Sequence, residues 1–225
     1  MDKHDGHGDL LVGHTLAAIR FDIIFGDLSP GGKLPVTVPR SVGQVPIYYA
    51  HKPSGGRSQW HEDYVDGSHR PLWPFGYGRS YSRFELSGLR LDRDQTTCDG
   101  QIAVSVDVAN VGESTADEVV QLYLRDIHAS VTRPVKELRG FARITLAPGE
   151  RRTVTFGLGV EQLAFTGVDG RLRVEPGRHQ VLVGTSAVDL PLAAEFEVVG
   201  EVRHLVARSR FFTTVEVSDH PARFE

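Results

Sequence analysis

Alternation of apolar and polar side chains dominates the second half of this sequence. From residue 84 onward, short runs place valine, leucine or phenylalanine at every second position, with serine, threonine or aspartate between them. Successive side chains of a β-strand point to opposite faces, so each run predicts a strand with one buried face. In one run Gln121 and Tyr123 occupy the polar face. The apolar faces predict a core that contains Val104, Val106, Val108, Leu122, Leu124, Phe156, Val181, Val183 and Phe196.

Proline and glycine separate these runs. Residues 147–150, 168–171 and 175–178 read APGE, VDGR and EPGR. Glycine supplies a positive φ in each, and proline presets one turn residue in the first and third. Seven or eight short strands divided by such turns predict a mainly β protein, an antiparallel β-sandwich of the immunoglobulin or fibronectin type III-like class. The single cysteine, Cys98, excludes an internal disulfide, which favours the fibronectin type III-like version.

A different pattern precedes the strands. Residues 16–25 place apolar side chains at helical spacing and end before Gly26, which predicts a short helix. Residues 29–78, here called the connector, are irregular and rich in proline, glycine and aromatic residues, with strand-like stretches at 33–38 and 45–49. The chain therefore divides into a helix and connector region at 1–83, the sandwich at 84–200, and a tail at 201–225 with a possible edge strand.

Composition and missing motifs exclude several functions. The 25 Lys+Arg against 29 Asp+Glu leave a net charge of −4, which argues against a nucleic-acid partner. No apolar run approaches the roughly 20 residues that cross a membrane, and the first residues are too polar for a signal peptide, which predicts a cytoplasmic chain as written. The sequence lacks a Gly-x-Ser-x-Gly elbow and a phosphate-binding loop, and the histidines near its start lack metal-ligand spacing. We expect no cofactor and no metal.

One acidic and aromatic cluster could contact a sugar. Trp60, Tyr64 and Asp66 lie close together in the connector, beside Glu62 and Asp63. Aromatic rings stack on sugars and carboxylates accept hydrogen bonds from sugar hydroxyls, but exposed acidic residues also occur in solvated loops. Both interpretations stay open at this point.

Several distinctive motifs follow one another along the chain. They are FGDLSPGGKLPVTVPR at 25–40, GQVPIYY at 43–49, HKPSG at 51–55, PLWPFGYGRSY at 71–81, DEVVQLY at 117–123 and RPVKELRGF at 133–141. In this order they resemble segments of family 3 glycoside hydrolases, chiefly β-glucosidases and β-xylosidases. The resemblance covers roughly residues 16–200.

The resemblance implies a position within a larger enzyme. Enzymes of this type have a (β/α)₈ barrel, an α/β sandwich domain and a fibronectin type III-like domain, and this chain resembles the end of the second and the whole of the third. The family's nucleophile and its acid/base lie in segments that this sequence does not contain, so no catalytic residue is assigned. The resemblance implies an accessory structural part that is inactive alone. The alternative is a carbohydrate-binding or adhesive module, which would show a flat row of aromatics on an exposed sheet face.

The resemblance also implies that the connector docks against neighbouring domains. Its aromatic residues Tyr48, Trp73, Phe75 and Tyr77 are expected to bury apolar area against neighbouring domains. The expected partners are the catalytic domains of the parent glycosidase or a second copy of the chain, with β-glucosides or β-xylosides bound by the parent enzyme. If the connector serves only those partners, removing residues 1–80 should leave a monomeric sandwich.

Overall fold

The computed structural model describes residues 21–53 and 68–219 of the chain. Residues 21–25 are helical and end at Gly26, whose φ of 91° suits glycine because glycine has no Cβ. This is the last part of the predicted helix, and residues 16–20 lie outside the described ranges. In the connector, the stretch at 33–38 contributes one isolated bridge, from Val38 to Trp73, and the stretch at 45–49 forms no strand.

Twelve strands and two 3₁₀ turns make up the ordered elements of the remaining described chain. The turns are Val42–Gln44 and Val160–Leu163. The strands are β1 (Phe84–Leu91), β2 (Gln95–Thr97), β3 (Gln101–Asn110), β4 (Ala116–Asp126), β5 (Glu137–Leu146), β6 (Arg151–Gly159), β7 (Phe165–Thr166), β8 (Leu172–Val174), β9 (Gly177–Gly184), β10 (Leu192–Val199), β11 (Arg203–Leu205) and β12 (Thr214–Ser218).

These strands form two main sheets with the core between them. One sheet has the order β1-β3-β6-β12, the other has the order β2-β10-β9-β4-β5, and a small third sheet joins β11, β8 and β7. All neighbours are antiparallel except β2 and β10. The predicted mainly β, fibronectin type III-like sandwich is confirmed.

The core contains every residue that the alternation predicted. All nine of those side chains are buried, and Val104 lies opposite Phe156 where β3 pairs with β6. Apolar faces from both main sheets meet in a single cluster, so the hydrophobic burial that stabilises one sheet also holds the other against it.

Two of the three predicted turns close as expected. At 147–150, Glu150 N donates to Ala147 O at 3.0 Å, and Gly149 has a φ of 78°. At 168–171, Gly170 has a φ of 76°. The prediction of a tight turn at 175–178 is wrong, because this segment joins β8 to β9 and those strands belong to different sheets. An extended crossing is needed there in place of a hairpin.

The solvent-facing side predicted for β4 is also wrong. Gln121 and Tyr123 are buried, as are the core-facing residues between and around them. A strand buried on both faces needs a second covering layer, and the connector supplies it.

Candidate domain-docking surface

The connector reaches the sandwich as two antiparallel arms. Leu34 N donates to Tyr77 O at 2.8 Å, and Gly76 N donates to Leu34 O at 2.8 Å. Further along, Val38 N donates to Trp73 O at 2.8 Å. These bonds pair the backbone of residues 34–38 with that of residues 72–77, so the two arms form one layer.

A buried ion pair fastens the first arm to β4. Lys33 Nζ lies 2.7 Å from Glu118 Oε1, and the two side chains are only 12% and 8% exposed. Lys33 also donates to Gly78 O at 3.3 Å. Beside this pair, a Cβ on Gly31 would lie 2.5 Å from Asp117 Cβ, so the approach of the arm requires glycine. Each charge is removed from water and depends on the other for compensation.

The second arm contacts β4 through an amide network. Gln121 Nε2 donates to Gly76 O at 3.3 Å and to Thr185 O at 2.7 Å, and Tyr123 OH donates to Gln121 Oε1 at 2.6 Å. Gly76 has a φ of 78°, and a Cβ there would lie 2.3 Å from Gln121 Oε1. Burial raises the pKa of Tyr123, which keeps its hydroxyl a neutral hydrogen-bond donor.

Aromatic packing completes the attachment. The ring of Tyr49 lies 4.5 Å from that of Phe75 and meets the ring of Tyr123 edge-on at 5.6 Å, measured between centroids. Tyr49 OH accepts a hydrogen bond from Leu138 N at 3.2 Å, and Phe75 O accepts one from Ala187 N at 2.9 Å. Edge-on and offset ring pairs stabilise beyond the area they bury.

These contacts bring together motifs that are far apart in the sequence. Residues from the segments at 25–40, 43–49 and 71–81 all meet the segment at 117–123 of β4. Removal of residues 1–80 would expose Tyr123 and Gln121 to solvent. We therefore no longer expect that deletion to leave a monomeric sandwich.

The other side of the connector carries exposed apolar residues. We call this set the outer connector surface. Its members are Val36, Val42, Val45, Tyr48, Leu72 and Trp73, with exposures from 41% for Leu72 to 93% for Val42. The end of the preceding helix adds exposed apolar side chains at Phe21, Ile24 and Phe25. Such a concentration of apolar residues in contact with solvent is typical of an interaction site.

The structure places the predicted docking residues in different environments. Tyr48 and Trp73 are exposed, whereas Phe75 is half-buried against Tyr49 within the same chain. Tyr77 is half-buried, and its hydroxyl accepts a hydrogen bond from Arg79 Nε at 2.8 Å. The sugar-contact candidates Trp60, Tyr64 and Asp66 lie outside the described residues.

Sequence reasoning missed the residues that hold the connector in place. Lys33, Glu118, Gln121 and Tyr49 received no role from it. The sequence of β4 contained one signal. Gln121 and Tyr123 occupy the face opposite the apolar residues Val120, Leu122 and Leu124. Such side chains can be buried when they find hydrogen-bond partners, but the partners were not identifiable from spacing.

Comparison with known proteins identifies two matched regions. The glycosyl hydrolase family 3 C-terminal domain matches residues 11–81, and the fibronectin type III-like domain matches residues 118–187. A putative beta-xylosidase from Formosa agariphila is 47% identical over 74% of this chain and 22% of its own length. The periplasmic beta-glucosidase of Salmonella typhimurium is 42% identical over 74% of this chain and 22% of its own length.

A solved structure gives the same correspondence. The crystal structure of beta-glucosidase from Listeria innocua in complex with glucose superposes with a TM-score of 0.74 at 39% identity, covering 81% of this chain and 26% of that one. The sandwich and its attached connector thus define a fibronectin type III-like module of glycoside hydrolases. The chain belongs to glycosyl hydrolase family 3 and corresponds to a C-terminal portion of its enzymes. It spans about a quarter of the length of the relatives it matches.

Among the described residues, no helix is both long and apolar enough to cross a membrane.

Proposed function

We propose that this chain is an accessory structural part of a family 3 β-glucosidase-like or β-xylosidase-like enzyme, and that it docks on the catalytic domains through the outer connector surface. The observation that carries the proposal is the two-sided connector. One side is fixed to β4 by the Lys33–Glu118 pair and by Gln121, and the other side is apolar and exposed. The sandwich fixes the orientation of that apolar side, as a docking surface requires.

The proposal keeps the three regions that the sequence predicts. Residues 1–83 belong with the preceding domain of the parent enzyme, residues 84–200 form the fibronectin type III-like domain, and residues 201–225 form a tail. Trp60, Tyr64 and Asp66 remain candidates for carbohydrate contact in the assembled enzyme. Tyr48 and Trp73 are the docking candidates whose exposure supports that role.

A chimaera tests the docking role. The matching segment of the Salmonella typhimurium periplasmic beta-glucosidase is replaced by this chain, and aryl β-glucoside hydrolysis is measured after graded heating. We expect Val42→Ser, Leu72→Ser and Trp73→Ser together to make the activity more heat-labile, because they remove apolar contact area. Phe141→Ser is the control, since Phe141 is an exposed aromatic on β5. Equal heat inactivation of the docking variant and the control would contradict the proposal.

The isolated chain is expected to show no hydrolysis of aryl β-glucosides or β-xylosides above background. Glycoside hydrolysis generally requires two carboxyl groups flanking the scissile bond, and no residue here fills either family role. Turnover that disappears on changing Glu62 or Asp66 would contradict this expectation.

The alternative of a carbohydrate-binding module receives less support. Across the outer face of the β1-β3-β6-β12 sheet, β3 and β6 present polar side chains, with Ser105 bonded to Thr155 and Thr153 bonded to Asp107. No row of exposed aromatics lies on that face within residues 84–219. Saturable binding of cello- or xylo-oligosaccharides by the chain, measured by calorimetry, would favour the alternative.

A further inference from the structure

Two arginines share one carboxylate at one end of the sandwich, and a third arginine lies nearby. Arg133, in the loop before β5, and Arg139, within β5, both donate to Glu137 Oε2, at 2.8 and 3.0 Å. Arg208, in the segment before β12, donates to the carbonyl of Ala164, the residue before the Phe165 ring on which Arg133 packs, and its positive charge lowers the pKa of Arg139. We call Arg133, Arg139 and Arg208 the arginine cluster.

A β-bulge places Arg139 in this cluster. Leu122 pairs with Gly140 and the next residue, Tyr123, pairs with Leu138, so Arg139 is the extra residue on β5. A bulge leaves the extra residue unpaired and redirects its side chain. The Arg139 carbonyl accepts a hydrogen bond from the Thr213 hydroxyl, which ties the bulge to the segment that carries Arg208.

Within salt-bridge distance of the cluster, the described residues place fewer negative charges than the cluster has positive charges. Besides Glu137, the carboxylate in this range is that of Asp126, whose Oδ2 lies 3.9 Å from Arg133 Nε and equally far from His179 Nε2. Glu161 forms no ion pair with these arginines within the described chain, and its carboxylate accepts a hydrogen bond from Ser209. Two carboxylates are therefore in ion-pair range of the three-arginine cluster, in a region where the Arg133 and Arg139 side chains are only 13% and 15% exposed.

The guanidiniums also retain unused donors. Arg133 Nε and Arg139 Nε are buried and have no hydrogen-bond partner within the described chain. The Arg133 guanidinium lies 4.7 Å from the centroid of the buried Phe165 ring, which shields it from water. Burial lowers the pKa of Arg139, Glu137 opposes that shift, and Arg133 and Arg208 reinforce it. An additional negative charge would relieve this repulsion.

We propose that the arginine cluster is a binding site for a small oxyanion, either an inorganic anion or the carboxylate of a sugar acid. Each guanidinium presents planar N–H donors that match the oxygens of a carboxylate or sulfate, and bonds between ionised partners are the stronger class of hydrogen bond. The Glu137 carboxylate already accepts hydrogen bonds from two of these arginines, so it competes with the ligand. None of the three arginines belongs to the outer connector surface, so the site is separate from the docking role proposed above.

Calorimetric titration of the whole chain with sodium sulfate and with sodium glucuronate tests the site. Ionic strength is held constant with sodium chloride, and glucose is the uncharged control. We expect saturable binding that Arg139→Gln weakens about tenfold or more, since it removes a charged hydrogen bond. Glu137→Gln should tighten binding, because it removes the competing carboxylate. Arg143→Gln, at an exposed arginine of the same strand, should leave binding unchanged.

The two ligands identify the source of the anion. Tighter binding of sulfate indicates an inorganic anion, and tighter binding of glucuronate indicates a sugar acid. If Arg139→Gln does not fold, Arg208→Gln provides the same comparison. Non-saturable heats, or equal binding by the unmodified chain and both arginine variants, would overturn the proposal. The outcome is independent of the chimaera experiment, which does not involve the arginine cluster.

Discussion

At the scale of single residues, the core position of Phe156 has the most direct energetic consequence. Phe156 is fully buried, pairs across the sheet with Val104, and lies so close to Gly140 that a Cβ there would come within 3.0 Å of its ring. Truncation to alanine removes the ring and leaves a cavity in a tightly packed region. We expect Phe156→Ala to lower the free energy of unfolding by about 3 to 5 kcal/mol, measured by urea denaturation.

Phe141 provides the matched control for this prediction. It is an aromatic residue of the same type, but its side chain is 63% exposed on β5. Phe141→Ala should change the free energy of unfolding by no more than about 0.5 kcal/mol, as is usual for surface positions. A loss below about 1 kcal/mol for Phe156→Ala would place Phe156 at the periphery of the core.

His179 is a buried histidine with a predictable pH signature. Burial lowers its pKa from the ordinary 6.5, and Arg133 lowers it further, although Asp126 and the hydrogen bond to Gly177 oppose the shift. Below pH 6.5 the unfolded chain protonates this side chain while the folded chain resists. Its contribution to stability is therefore complete above pH 6.5 and is lost as the pH falls from there toward the lowered pKa.

Replacing His179 should change the slope of the unfolding free energy against pH. His179→Gln should flatten the dependence of the unfolding free energy on pH between 7 and 5, by up to about 1.4 kcal/mol per pH unit. Urea denaturation at several pH values measures it. His128→Gln, at an exposed histidine, should keep the slope of the unmodified chain. Identical slopes for both variants would show that His179 does not contribute to the pH dependence.

At the scale of elements, the attachment of the connector depends on the ion pair between Lys33 and Glu118. Replacing one partner leaves a buried charge uncompensated, which costs about 3 kcal/mol or more, whereas replacing both by apolar residues is often nearly neutral. We expect Lys33→Met to raise the rate of proteolytic cleavage in the connector about 100-fold, because cleavage follows the population of the detached state. Limited proteolysis under native conditions measures that rate.

The double variant distinguishes the ion pair from simple packing. Lys33→Met combined with Glu118→Leu should return the cleavage rate close to that of the unmodified chain. If the double variant is cleaved as fast as Lys33→Met, the buried charge on Glu118 is not what weakens the attachment.

The sequence predicted the strands and core well but not the attached connector. Alternation is a local property, so positions such as Val104 and Phe156 followed from neighbouring residues. The contacts between Lys33 and Glu118 and between Gly76 and Gln121 join distant segments. They involve polar groups or glycine, and the alternation of apolar and polar residues does not predict whether such residues are buried. The crossing at 175–178 was mistaken for a turn for a related reason, since sheet membership is decided by pairing far away in the sequence.

At the scale of the whole molecule, the exposed side of the connector is expected to cause self-association when catalytic domains are absent. The sandwich buries the other side of the connector, so the apolar residues of the outer connector surface cannot turn inward without breaking the contacts to β4. Apolar area left in water favours association. Light scattering coupled to size-exclusion chromatography should show a mass that increases with concentration for the unmodified chain.

Position within the molecule, rather than total apolar exposure, should control this association. Val42→Ser combined with Leu72→Ser removes two exposed apolar side chains from the outer connector surface and should shift the chain toward the monomer. Phe211→Ser combined with Phe212→Ser removes two larger exposed side chains from the tail, before β12, and should leave the association unchanged. Both pairs of substitutions remove exposed apolar area, but at different places in the molecule. If the tail variant is monomeric and the connector variant still associates, the chains associate through the tail and not through the connector.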